Sequence, residues 1–255
     1  MIKFFRKIRH KLLTENKFSK YLLYAVGEIV LVVIGILIAL GINNWNQHRI
    51  QNKEEHQALI NLKLDFDYNY ITLDSIITRT EKSIALQTTI LNHTGNKPRP
   101  NTETEFDNAI NALAALSIYF PKNGYLNDLL NSGKLDILKN TNLRNRLSSW
   151  NSVLKNIKDK ERNVEDQIDK FYDIMYKRGS WLNLDEVATI SVLTNDPLPK
   201  SGFDIDNRHL LDLIEFENTT ENIIFQNRSV LIRQKMGLDL ITEILKLLEY
   251  EIKKK

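Results

Sequence analysis

The sequence predicts an all-α protein, with one N-terminal transmembrane helix followed by an extracytoplasmic bundle of long helices. Tyr21 to Ile42 contains a single charged residue, Glu28, and as a helix it would span about 33 Å, enough to cross a hydrocarbon core of about 30 Å. The five prolines fall in three places, Pro98/Pro100, Pro121 and Pro197/Pro199. The proline-free stretches between them suit long helices, and apolar residues recur in them at spacings of three and four.

The flanks of the apolar segment predict its orientation. Residues 1–20 carry seven Lys and Arg side chains against Glu15, so the positive-inside rule places this head in the cytoplasm. Apolar residues between those cations would form a stripe on one side of a helix, and the alternative is that the head is a topogenic basic flank with no other role. Trp45 suits the far interface. The predicted organisation is a head at 1–20, a transmembrane helix at 21–42 and an extracytoplasmic domain at 43–255. A cleaved signal peptide, with Ala39-Leu40-Gly41 as its site, is the alternative, and the long basic head argues against it.

The charge distribution gives no support for a nucleic-acid partner. The whole chain has a net charge of +3, but the basic head alone accounts for that excess, and residues 43–255 are slightly acidic. The chain contains no cysteine, which excludes disulfides and thiolate metal sites.

The first half of the extracytoplasmic domain predicts three helices. The first runs from Asn43 to about Asn92, and its expected core stripe is Leu59, Leu62, Phe66, Tyr70, Leu73, Ile77, Ile84 and Leu91. Thr102 and Glu105 form a capping box that opens the second helix, with Phe106, Ile110, Leu113 and Leu116 facing inward. A turn at Pro121 to Gly124 precedes a short helix from Tyr125 to about Asn131, which Ser132-Gly133 ends.

The clearest helical pattern lies between Leu143 and Met175. Ten positions follow a 4-3-4-3 spacing: Leu143, Leu147, Trp150, Leu154, Ile157, Glu161, Val164, Ile168, Phe171 and Met175. This pattern predicts a long helix packed lengthwise against another. Glu161 is the one polar member, and we expect a small register shift to turn it outward.

The last part of the chain predicts a loop and two helices. The segment from Gly179 to Asn207 has no helical or strand periodicity in its apolar residues, so it is either a functional loop or contains a short helix or strand. A short helix is expected from Asn207 to about Phe216, and a long one from Thr219 to Lys254. The expected core face of the long helix is Ile223, Ile224, Val230, Leu231, Leu238, Ile241, Leu245, Leu248 and Ile252. Together the helices predict an up-and-down bundle.

Motifs for catalysis, cofactors and metals are missing from the sequence. The nine glycines are dispersed, whereas phosphate-binding and dinucleotide-binding loops need clustered glycines. Asp65-x-Asp67-x-Asn69 resembles the start of a calcium loop, but Tyr70 and Ile76 occupy the positions that require glycine and glutamate. We therefore predict no catalytic, cofactor-binding or metal-binding residues.

One candidate site remains, on the membrane helix. Glu28, Gly35 and Ala39 are seven and four residues apart, so they share a helix face. Gly35 and Ala39 would allow a second helix to approach closely, and Glu28 could hydrogen-bond across that contact. The alternative is that Glu28 snorkels to the cytoplasmic interface, since it lies only about 10 Å inside the segment.

The first 46 residues also resemble a known family. The basic head, Gly27-Glu28, the apolar run Ile29 to Ile42 and the exit Asn44-Trp45-Asn46 are similar to a family of uncharacterised single-pass membrane proteins of flavobacteria. The segment Asn131 to Asn140 looks like the helix-break-helix segment of that family, whereas Gly41 departs from its pattern. The resemblance implies a Gram-negative inner membrane and a periplasmic domain, and it implies no activity.

The function expected from the sequence is a membrane-anchored periplasmic interaction or sensing module that is not an enzyme. Its expected partners are the lipid bilayer and either a second copy of the chain or another membrane protein. A structural spacer or scaffold is one alternative. An enzyme with a site in the region 179–207 is another, for which the sequence offers no nucleophile, base or metal set.

Overall fold

The computed structural model describes residues 18–185, 198–199 and 201–254. Within that part of the chain the regular elements are all helices, which confirms the predicted all-α class. The α-helices are α1 (Phe18–Leu91), α2 (Glu103–Ala114), α3 (Gly124–Asn131), α4 (Thr141–Arg178), α5 (Trp181–Asp185) and α6 (Ile214–Lys253), with 3₁₀ turns at Lys134–Ile137 and Asn207–Asp212. The predicted amphipathic head and the β-branched patch Val187 to Thr194 lie outside the described residues.

The chain divides into two compact units, the first ending at Gln57 and the second beginning at Ala58. The described part of the first unit is helical and carries the apolar segment. An 18-residue window there has a mean hydropathy of 2.8, and none of it is buried. Among the described helices, α1 is the one that is long and apolar enough to be a candidate membrane span. The Arg49 guanidinium lies over the Trp45 ring, 5.5 Å from its centroid.

The second unit is built on three long helices. The α6 helix runs antiparallel to α1, since Lys63 pairs with Glu249 near one end and Glu81 pairs with Lys235 further along. It also runs antiparallel to α4, where Asn140 donates to Glu251. Helices α1 and α4 therefore run in the same direction, and α6 returns between them.

The remaining part of the bundle, here called the leg, is a composite segment that runs from α2 through residues 115–123 to α3. Helix α2 begins after Thr102, whose side chain accepts a hydrogen bond from the Glu105 N–H, as one half of the predicted capping box requires. Residues 115–123, here called the strap, have no helical structure and lead into α3. Helix α3 ends at Asn131 with Ser132 as its C-cap, and Gly133 follows with a φ of 68°, a left-handed conformation that favours glycine. The leg returns along α1, which gives the up-and-down order that the sequence predicts.

The nine apolar heptad positions of α4 are buried as predicted, and the tenth, Glu161, is buried as well. The stripe of α1 was wrong at Tyr70, which is exposed because the 4-3 spacing after Phe66 continues to the buried Asn69. Its last members, Ile84 and Leu91, are only half-buried, and Gln87 and Ile90 lie on the buried face instead. The stripe of α6 was right at five positions, which are buried, and wrong at the other four; the buried ones are Ile223, Ile224, Val230, Ile241 and Leu248. Its buried track continues through polar and small side chains, including Asn227, Gln234 and Gly237, while Leu231, Leu238, Leu245 and Ile252 are only half-buried and pack against its edge.

At Gly237, helix α6 packs closely against both α4 and α1. A Cβ added there would lie 3.0 Å from Ile157 Cδ1 on α4 and 3.3 Å from Leu73 Cδ2 on α1. Distances this short would force both neighbours to move. The heptad of α6 therefore uses glycine where the pattern alone would favour a large apolar side chain.

Candidate functional site

The predicted membrane-helix residues Glu28, Gly35 and Ala39 all lie on α1. Gly35 and Ala39 are exposed, and a Cβ added at Gly35 would meet no atom within 4 Å. The predicted contact needs a second helix against this face, so it stays a prediction.

The strap is held on the second unit by polar contacts that the sequence analysis missed. The Asn69 side chain accepts a hydrogen bond from the Lys122 N–H at 2.7 Å and donates one to the Lys122 carbonyl at 2.9 Å. The Tyr119 hydroxyl donates to the Asn69 carbonyl at 3.3 Å. The Asn69 amide pairs with both the N–H and the carbonyl of one residue, as a neighbouring β-strand would. Asn69 therefore fixes the position of the strap along α1.

Glu161 provides the second attachment of the strap, and its expected outward turn was wrong. Its side chain is 5% exposed and accepts the Tyr119 N–H at 3.0 Å. The physical reason is that the strap has no helical hydrogen bonds of its own, so the buried Tyr119 N–H requires an acceptor. Burial raises the pKa of Glu161, and the Tyr119 N–H and the Lys158 charge oppose that rise.

Further polar side chains occupy core positions of α6. Asn227 donates to Gln87 Oε1 at 3.1 Å, and Gln87 in turn donates to the Ala112 carbonyl at 2.7 Å. Gln234 is fully buried and lies close enough to Glu161 to lower its pKa. Neither polar atom of the Gln234 amide has a hydrogen bond of good geometry within the described residues. The interior of the bundle is therefore partly polar along its length.

A groove of about 600 Å³ opens between the strap, α3 and α4. Its walls carry three cations, three amides, one carboxylate and a few apolar groups: Phe120, Pro121, Asn123, Asn127, Asn151, Leu154, Lys155, Lys158, Asp159 and Arg162. Lys155 pairs with Asp159 at 2.7 Å. Among the described residues, the side chains of Lys158 and Arg162 have neither an ion-pair nor a hydrogen-bond partner. The groove thus carries a net positive charge, and two of its cations make no direct ion pair with a described residue.

A separate polar cluster lies where α2 meets the segment between α4 and α6. The Asn207 side chain donates to Asp107 at 3.3 Å and accepts the Ser180 N–H at 2.8 Å. Burial raises the pKa of Asp107 to about 6, with Glu103 and Asp206 adding to the rise and the Asn207 hydrogen bond opposing it. Within the described residues, no three His, Cys, Asp or Glu side chains are grouped so as to hold a metal ion.

Part of this site was readable in the sequence. The heptad spacing alone places Glu161 at a core position. The i, i+3, i+7 spacing likewise places three cations on one helix face: Lys155, Lys158 and Arg162. The roles of Asn69 and Asn123 carried no local signal. Asn69 contacts a strap residue 53 positions away, and Asn123, which belongs to the strap, contacts Trp150 27 positions away.

The comparison with known proteins concerns the N-terminal half of the chain. The sequence model of DUF6090, described as a family of unknown function, matches residues 28–156. The match covers the apolar segment from Glu28, the rest of α1, the strap and the first part of α4. No curated protein and no solved structure matches the chain. Since the match covers just over half of the 255 residues, the chain belongs to the DUF6090 family.

Proposed function

We propose that the chain is a membrane-anchored sensing or interaction module without catalytic activity, with its head in the cytoplasm and its helical bundle in the periplasm. The observation that carries the anchor is that none of the apolar window of α1 is buried. Side chains such as Leu31 and Leu37 are more than 60% exposed. Leaving that surface in water would cost about 25 cal/mol for each Å², so a bilayer is its natural environment.

The bundle favours sensing over a purely structural role. A spacer is best served by a dry core, whereas this interior contains Glu161 and the fully buried amide of Gln234. The strap has no helical hydrogen bonds of its own; it is anchored by the buried Tyr119 ring and by hydrogen bonds to Asn69 and Glu161, and it borders a positively charged groove. A ligand in that groove would contact the strap directly, and it would shift an equilibrium between two strap positions by the difference in its affinity for them.

The proposed subcellular location rests on the family resemblance of the N-terminal segment together with the positive charge of the head. The seven cations of residues 1–20 favour a cytoplasmic N-terminus, and the flavobacterial single-pass proteins that the segment resembles imply the inner membrane. The partners in this proposal are the bilayer and a second membrane helix, either from another copy or from a different protein, at the face of Glu28, Gly35 and Ala39.

Reporter fusions test this topology directly. Alkaline phosphatase fused after Lys255 should be active, because the enzyme matures only outside the cytoplasm, and the same reporter fused after Lys20 should be inactive. The mature protein should retain its N-terminus in mass spectrometry. A mature chain that begins at Ile42 would overturn the anchor, and an inactive Lys255 fusion in a folded protein would overturn the orientation.

A further inference from the structure

We propose that the groove between the strap, α3 and α4 binds a small soluble molecule that carries a carboxylate or phosphate group. This inference rests on the proposed sensing function and names the class of ligand. The groove encloses about 600 Å³, within the range of ordinary small-molecule sites.

The charges of the groove select an anion. Lys155, Lys158 and Arg162 lie on one face of α4, and the seven residues from the first to the last correspond to about 10 Å along the helix. Asp159 is paired with Lys155, so Lys158 and Arg162 are the cations available to bind a ligand. A guanidinium fork can bind an oxyanion through two hydrogen bonds, and a lysine adds a point charge.

The amide side chains of the groove add hydrogen-bond donors, and for Asn123 the positions of the amide oxygen and nitrogen can be assigned. Trp150 Nε1 lies 2.9 Å from one terminal atom of the Asn123 amide. An indole N–H can only donate, so that atom is the oxygen, and the remaining NH₂ group of Asn123 is a donor. Within the described residues this NH₂ group has no hydrogen-bond partner. A hydrogen-bond donor beside cations that make no direct ion pair in the described part of the chain suits an oxyanion and disfavours a metal or an organic cation.

The rim of the groove offers an apolar contact. Phe120 is 70% exposed at the edge of the strap, immediately after Tyr119, which Glu161 holds. A ring or hydrocarbon part of a ligand can pack on this side chain while its acidic group reaches Lys158 and Arg162. The ligand class is therefore an organic acid or organic phosphate of moderate size, and binding would act on the strap itself.

The test uses the full chain in nanodiscs of neutral phosphatidylcholine, labelled with 5-fluorotryptophan. The three tryptophans give separate ¹⁹F signals, and Trp150 reports on the groove through Asn123. Titration with citrate and with pyrophosphate at millimolar concentrations should shift the Trp150 signal saturably with at least one of the two. The variant Lys158→Gln/Arg162→Gln should weaken this binding by roughly 100-fold, since each charge-assisted hydrogen bond contributes about tenfold or more.

The control variant is Lys170→Gln/Lys177→Gln, which removes the same charge from exposed positions of α4 outside the groove. It should bind like the wild type, and unchanged Trp45 and Trp181 signals show that either variant is folded. No saturable shift with either anion, or equal loss in both variants, would overturn the groove as a specific site. A Trp150 shift produced by phosphatidylglycerol nanodiscs without added anion would assign the site to a lipid headgroup and overturn the soluble ligand. Because binding is measured irrespective of orientation in a cell, its failure leaves the topology untouched, and the reverse also holds.

Discussion

Replacing Asp107 by asparagine should flatten the pH dependence of stability. Asp107 is buried beside Asn207, and its pKa is raised from 3.8 to about 6. Glu103 and Asp206 face it and favour the protonated form, whereas Arg208 opposes them. An acid with a raised pKa in the folded state contributes stability that is fully present below about pH 3.8 and is lost as the pH rises through about 6. The loss amounts to at most about 3 kcal/mol in the free energy of unfolding.

The assay is urea unfolding of the full chain in micelles, followed by circular dichroism between pH 4 and pH 7.5. Asparagine keeps the shape and can still accept the Asn207 hydrogen bond, but it cannot ionise. The stability of Asp107→Asn relative to wild type should therefore increase with pH by about 2–3 kcal/mol. The exposed carboxylate variant Asp74→Asn is the matched control and should run parallel to the wild type. If the Asp107→Asn curve is parallel too, the carboxyl is not held in an environment that penalises its charge.

Two further predictions concern the core and the membrane helix. Trp150→Ala should lower the free energy of unfolding by about 3–5 kcal/mol, because the centroid of the buried ring lies 5.7 Å from that of Phe66. Trp150→Phe should lower it by about 1–2 kcal/mol, because only the hydrogen bond to Asn123 is lost. An unchanged melting temperature for the alanine variant would show that Trp150 is not a core residue. In a reporter assay of self-association with residues 1–50, Gly35→Leu should disrupt association sterically and Val33→Leu, on another face, should not. Equal association of wild type and Gly35→Leu would exclude a homomeric contact at this face.

The long helices could be predicted because their signals are local and repeated. The ten heptad positions of α4 are all buried, and its neighbour α6 follows the same spacing. Such a pattern needs no knowledge of the partner helix, since any apolar stripe at this period must be covered. Thr102 and Gly133 likewise acted through their own backbone neighbours, so the ends of α2 and α3 were also predictable.

The errors at Asn69 and Glu161 share one physical cause. Asn69 takes the core position that the spacing predicts for Tyr70, and Glu161 enters a core that it is expected to avoid. A helix pattern indicates which face is covered but not what covers it. Where the cover is a strap with unpaired backbone groups, a polar side chain at the heptad position is stabilised by satisfying them.

The same arrangement connects the groove to the interior. The Lys158 charge opposes the rise in the pKa of Glu161, and Lys158 also lines the groove. An anion bound beside Lys158 would offset that charge and so favour the protonated form of Glu161. A neutral carboxyl accepts the Tyr119 N–H less strongly than a carboxylate does, so the hold on the strap would weaken. By thermodynamic reciprocity, any change that releases the strap from Glu161 would then also change the affinity of the groove for its anion.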